Sequence, residues 1–223
     1  MRTRINLPGI RAIDSINEHV DAVLTSTVLA LDPGLAHVGY IIARIWRGQG
    51  FQGSPWDIEV VEAGLWIAPL PDIDERVLDA IDDTTNRAML QVCNVLAKYA
   101  HEDASVIVAE KISHPRDAST AIQVTAFWAM LTYACKQQAI PFVTLRPQDI
   151  RSTLGLPKTK ATMARNDKKK LVTDEIERRY GAAKLKTLLR HLTRKEDRSH
   201  PLDALASFTA AMIKQFGSNC TFR

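Results

Sequence analysis

Two patterns of apolar residues alternate along this chain, and their order predicts its elements. Val28 to Leu31 is a short apolar run that the turn-forming Asp-Pro-Gly at 32–34 brings to a stop. Val38 to Trp46 is rich in β-branched and aromatic residues and closes at a Gly-, Ser- and Pro-containing stretch, 48–55. Ile58 to Ile67 reads as a third strand, and its Gly-rich connection to the second predicts an antiparallel pair. The period then changes. Val77, Ile81, Ala88, Val92, Val95, Leu96 and Tyr99 recur at helical spacing, with Asp74 and Glu75 placing negative charge near the helix N-terminus. Ser105 to Glu110 (SVIVAE) is a buried-type strand ending on a carboxylate. Ala118 to Cys135 is apolar on more than one side, which predicts a helix covered by the sheet and by a second surface. Pro141 to Leu145 is a fifth strand.

Beyond it the texture is different. Residues 154–170 hold Gly155, Pro157 and six basic residues, the composition of a basic loop. A helix resumes near Lys168 and breaks at Gly181, an amphipathic stretch follows from Ala183 to Leu192, and a last helix runs from His200 to about Phe216. Three strands in meander, then strands alternating with helices, predict an α/β fold: a mixed five-stranded sheet flanked by helices. Its domain spans 28–216, with an N-terminal extension, 1–27, and a tail, 217–223.

Composition narrows the class. With 46% hydrophobic and 24% charged residues the chain is an ordinary globular one, which excludes a disordered or low-complexity protein. No apolar run approaches the ~20 residues of a membrane span. Arg11, Asp14, Glu18 and Asp21 interrupt Met1 to Thr27, so no secretory signal is expected there. Cys93, Cys135 and Cys220 are odd in number and form no CxxC pair. That argues against a disulfide framework or a structural zinc site and fits a cytoplasmic protein. The expected roles are small core hydrophobes and one free thiol near the tail.

Charge is unevenly distributed. Arg146 to Arg198 contains 16 Lys and Arg against 7 Asp and Glu, whereas the remainder has 13 against 18. The net charge of +4 therefore conceals a basic segment, 146–198, on a mildly acidic body. Clustered cations gain affinity for a polyanion by releasing its counterions; a solvated helix face with mixed charges is the other reading.

Three carboxylates stand at element ends. Asp32 closes the first strand, Glu110 closes the fourth, and Asp203 is expected in the first turn of the last helix. Strand-end carboxylates sit at the sheet rim where ligands bind in open α/β folds. Gathered there, they repel one another unless a cation lies between them, and hard oxygen ligands suit Mg²⁺ or Mn²⁺ better than Zn²⁺. His200 and Asp203, three apart, share a helix face; Pro201 is expected in the first turn, with Ser199 or His200 as cap. Taken singly, Asp203 reads better as a dipole-favouring first-turn acid, His200 as a capping residue and Asp-Pro-Gly as a common turn.

Together, these segments resemble the RuvC family of Holliday junction resolvases. LALDPGLAHVGYII resembles the family's opening motif, VIVAEK at 106–111 its second, and HPLDALASFTAA at 200–211 its C-terminal one, in the family's order from about Val28 to Ile213. The resemblance implies an RNase H-like nuclease with a two-metal site for Mg²⁺, with Mn²⁺ as substitute. Asp32 would bridge both ions, Glu110 and Asp203 would each help hold one, and His200 would ligate or position the attacking water. It also implies a homodimer that nicks a four-way DNA junction symmetrically, with helix 118–135 at the interface. Arg151 and Lys169 or Lys170 fall where the family carries basic residues near the scissile phosphate. Lys158, Lys160, Arg165 and Lys168 would complete the DNA-binding surface. Ser113 and His114 occupy the place of an aromatic wedge that family members often carry, and His114 is a candidate to stack on a base. The stretch 181–198 is longer than in the compact family form and holds six basic residues. Two alternatives stand beside junction resolution: broader cleavage of forks and flaps, and a non-catalytic junction binder. A kinase-type ATPase also opens on Asp-x-Gly, but expects Thr or Ser and then Lys where this chain has Leu35, Ala36, His37 and Val38.

Overall fold

The computed structural model describes residues 23–34, 36–47, 56–68, 77–111, 118–157, 163–217 and 220–222. The chain runs β1 (Val23–Asp32), β2 (His37–Arg47), β3 (Trp56–Ile67), α1 (Val77–His101), β4 (Val106–Glu110), α2 (Ala118–Gln137) and β5 (Phe142–Leu145). It continues with α3 (Pro147–Thr153), α4 (Arg165–Tyr180), α5 (Ala182–Leu188), α6 (Lys195–Phe216) and β6 (Cys220–Phe222). One sheet orders the strands β5-β4-β1-β2-β3-β6. Only β2 runs against the others, since β1 pairs antiparallel with β2 and β2 with β3, while the remaining pairs are parallel.

Both faces of this sheet are covered, which explains why Val28–Leu31 of β1 and Val106–Ala109 of β4 read as unbroken apolar runs. Val28, Ala30, Val106 and Val108 point to one face and pack with α4, α5 and α6. Leu29, Leu31, Ile107 and Ala109 point to the other, under α1 and α2. Side chains alternate with period two along a strand, so Asp32 and Glu110 continue the α6 face. The central strands thus deliver both carboxylates to one side of one sheet edge. On the far face Tyr40 stacks on Trp66 and donates to Glu62, which also takes Lys98 of α1.

Several sequence expectations need correction. The sheet has six strands, not five: Cys220–Phe222, read as tail, pairs with Trp56–Ile58. Strand β1 begins at Val23, inside the stretch read as an N-terminal extension. Helix α3 was not anticipated, although Pro147 at its start and Asp149 in its first turn mark it. The basic loop ends earlier than expected, because α4 is already helical at Arg165. Helix α6 starts at Lys195, so Pro201 lies inside the helix, His200 is no cap, and Asp203 sits beyond the first turn. A proline there forfeits the bond to the Asp197 carbonyl. Of the cysteines, Cys135 is buried, Cys220 is half-buried and Cys93 is exposed rather than in the core. Helix α2 buries Phe127, Leu131 and Cys135 against the sheet, while Thr125, Ala129, Thr132 and Tyr133 stay exposed on its other side. Among the described residues no helix is long and apolar enough to cross a membrane.

Candidate active site

Strand register brings the acids together. Parallel pairing of β1 with β4 sets Leu31 beside Ala109, so the next residues, Asp32 and Glu110, end neighbouring strands at the same edge. Across the antiparallel pair, Asp32 faces Gly39 of β2. A Cβ on Gly39 would overlap the backbone of His200, so only glycine lets α6 lie this close to β2. His200 is thereby set directly over the strand partner of Asp32, and its Nδ1 lies 2.7 Å from Asp32 Oδ2. One helical turn on, Asp203 Oδ2 accepts from Lys169 Nζ of α4 at 3.0 Å. The four residues open onto one cleft of ≈ 470 Å³, with Arg151, Lys168, Lys169, Met163 and Pro147 among its walls.

The cleft pushes Glu110 and Asp203 toward protonation. Burial, and then the charges of Asp32 and Asp203, push Glu110 up to about 7, with Arg151 and Lys169 pulling the other way. Burial and the Asp32 charge also raise Asp203, opposed by Lys169 and more weakly by His200. These are acids that lack enough positive charge to be comfortably ionised.

A stability prediction comes with this. Between pH 4.5 and 7 the folded chain holds a proton on Glu110 that the unfolded chain has released, so stability falls as pH rises through that window. Glu110→Gln removes the effect. In metal-free urea titrations the variant is expected to gain on wild type by up to about 3 kcal/mol between pH 4 and pH 8. Parallel pH profiles for the two proteins would overturn the assignment.

The donor set fits a divalent metal: three hard carboxylates and one imidazole around one solvent-open cleft. Among the described residues no three His, Cys, Asp or Glu side chains already close into a cage. His200 holds one oxygen of Asp32 and Lys169 one of Asp203. Lys169 supplies the positive charge that Asp203 otherwise lacks.

The basic residues of the sequence reading divide in three. Arg151, Lys168 and Lys169 line the cleft, whereas Lys170 faces solvent away from it. Arg165 opens α4. Lys158, Lys160, Ser113 and His114 lie outside the described residues. Sequence reasoning did not find His37, whose ring stacks on His200 with centroids 5.5 Å apart and planes 6° from parallel. Nothing local announces it, because the contact joins residues 163 positions apart in the chain.

By sequence alone the chain matches no protein-family model and no curated protein. Comparison of structures does find similar folds. Thermus thermophilus RuvC, solved in complex with a Holliday junction substrate, superposes with a TM-score of 0.55 at 14% identity, over 86% of this chain and 97% of that one. The yeast mitochondrial Holliday junction resolvase Ydc2 gives 0.54 at 14% identity, over 89% of this chain and 82% of that one. These identities speak for a common fold, and the chain has the RNase H-like fold of the RuvC resolvases.

Proposed function

We propose that this chain is a structure-selective endodeoxyribonuclease that resolves four-way DNA junctions by paired, symmetric nicks. The observation that carries the reading is the gathering of Asp32, Glu110, Asp203 and His200 on one open cleft whose walls bear Arg151, Lys168 and Lys169. Asp32, Glu110 and Asp203 would hold two Mg²⁺ or Mn²⁺ ions, with His200 beside them. When bound, such a pair acidifies water and neutralises charge on the attacking and leaving oxygens of a phosphodiester.

The chain's own side chains account for the rest. In the neutral ring, His200 donates from Nδ1 to Asp32, which leaves Nε2 with a lone pair to orient or deprotonate the attacking water. Lys169 and Arg151, on the wall of the cleft, would hold the non-bridging oxygens of the scissile phosphate. Water attack at phosphorus with loss of the 3′ oxygen yields 5′-phosphate and 3′-hydroxyl ends. Two symmetric nicks need two sites, and the exposed side of α2, with Tyr133 65% exposed, supports a homodimer through that helix.

The deciding assay is cleavage of a labelled, mobile four-way junction, with linear duplex as control, with and without Mg²⁺, using wild type beside Asp203→Asn. Paired nicks at symmetric positions, lost in the variant and absent from duplex, are the expected result. Equal cutting of forks and flaps would make it a general branched-DNA nuclease. Tight binding without a metal-dependent cut would make it an architectural protein.

The two neighbouring lysines separate catalysis from affinity. Lys169→Met is expected to lower the cleavage rate constant about a hundredfold with little change in junction affinity. Lys170→Ala, changing an exposed residue, is expected to leave the rate constant alone and reduce the salt slope of binding by about one unit. Identical behaviour of the two variants would remove Lys169 from the reacting phosphate.

A further inference from the structure

From Gly181 to Arg194 the chain contains no Asp or Glu, yet carries Lys184, Lys186, Arg190, His191 and Arg194. The segment is firmly seated. Leu185 and Leu189 are buried, and Leu188 and Leu192 pack on the same core. That apolar side turns Lys184, Lys186, Arg190 and Arg194 outward, and all four are exposed. Among the described residues none of them has a carboxylate within ion-pair distance. The contrast with α4 is sharp, where Arg178 and Arg179 are both consumed by Glu175.

The position of this patch is set by α4. Lys169 near one end of that helix pairs with Asp203 in the cleft, and Tyr180 at the other end meets Thr209 of α6. Gly181, with φ of +84°, then turns the chain into α5, which packs toward β3. Eleven helical steps lead from Lys169 to Tyr180, a rise of about 17 Å. That is about five base pairs of duplex at roughly 3.4 Å each. Between the two ends, Asp174 and Glu177 are exposed on α4 and keep the two positive regions distinct.

We propose that Lys184, Lys186, Arg190 and Arg194 form a second phosphate-contacting surface that grips a duplex DNA arm about five base pairs from the phosphate in the cleft. The inference rests on the junction-nuclease reading for the identity of the DNA, but its chemistry is its own. The segment exposes no Phe, Tyr or Trp on which an unpaired base could stack, its one exposed ring being His191, and no large apolar residue that could enter a membrane. Four cations beside a single imidazole make charge its main offering, which suits sequence-independent contact with a duplex backbone.

The test is a cycle between protein and DNA charge, read by fluorescence anisotropy without any need for cleavage. The protein variant is Lys184→Gln, Lys186→Gln, Arg190→Gln, with thermal melting as the check on folding. The DNA variant is a four-way junction with neutral methylphosphonates four to seven base pairs along one pair of arms. Wild type is expected to lose affinity about tenfold on the neutralised junction and the triple variant to lose almost none further, with a salt slope lower by about 2 to 3 units. Simple additivity of the two changes, or the same effect from methylphosphonates at the arm ends, would overturn the placement. An unchanged salt slope would remove the patch from DNA, as would patch-dependent binding of wild type to anionic vesicles but not to the junction. Loss of cleavage with an intact cycle would overturn only the catalytic reading.

Discussion

Asp32→Asn is expected to abolish Mg²⁺-dependent junction cleavage, by at least about a thousandfold, while junction binding stays within about twofold of wild type. Asp32 is the carboxylate that the other three groups share. It stands beside Glu110 at the strand ends, adds its charge to the burial that raises Asp203, and holds the His200 ring. Asparagine keeps the shape and still offers an oxygen to His200 Nδ1, so fold and DNA surface are preserved. What disappears is the charge that makes a cation welcome. Removing it also relieves Glu110 and Asp203, so the metal-free variant is expected to melt no lower than wild type. Added Mg²⁺ should raise the melting temperature of wild type only, because a ligand that binds the native state alone stabilises it by mass action. Loss of folding or of DNA binding together with activity would count against Asp32 as a metal-holding residue.

The sequence made this centre readable because each acid sits where a local rule ends. The runs Val28–Leu31 and Val106–Ala109 are apolar at every position, and a carboxylate at the close of such a run has to emerge at the sheet edge. The spacing of three between His200 and Asp203 holds wherever their helix begins. Its true start at Lys195 is harder to read, because a proline in a helical pattern normally marks a boundary. Strand β6 is three residues long and is stabilised by partners in Trp56–Ile58, more than 160 residues earlier, so local pattern carries no trace of it. The same distance effect hides His37. It also explains why Lys169 and Lys170 look equivalent in the sequence, when helix phase turns one onto Asp203 and the other into solvent.

The Gly-Tyr dipeptide in the opening motif shows how a residue without functional groups can govern a site. Gly39 lies opposite Asp32 on β2 and beneath His200 on α6. Gly39→Ala is therefore expected to force α6 away from the sheet, breaking the 2.7 Å contact between His200 and Asp32 and moving Asp203 with the same helix. The obstacle is backbone rather than a flexible side chain, and from Ala204 to Met212 every residue of α6 is buried, so the helix has little room to move away. Overpacking of this kind costs about 3 kcal/mol or more. Chemical denaturation and junction cleavage are expected to fall together, and high Mn²⁺ should not restore the activity. Tyr40→Phe is the matched control one residue on, where the side chain faces the opposite layer and loses only its bond to Glu62, a cost of about 1 kcal/mol with cleavage retained. A fully active Gly39→Ala would mean that α6 does not rest on β2 at this point, and the carboxylates would then need another reason to meet.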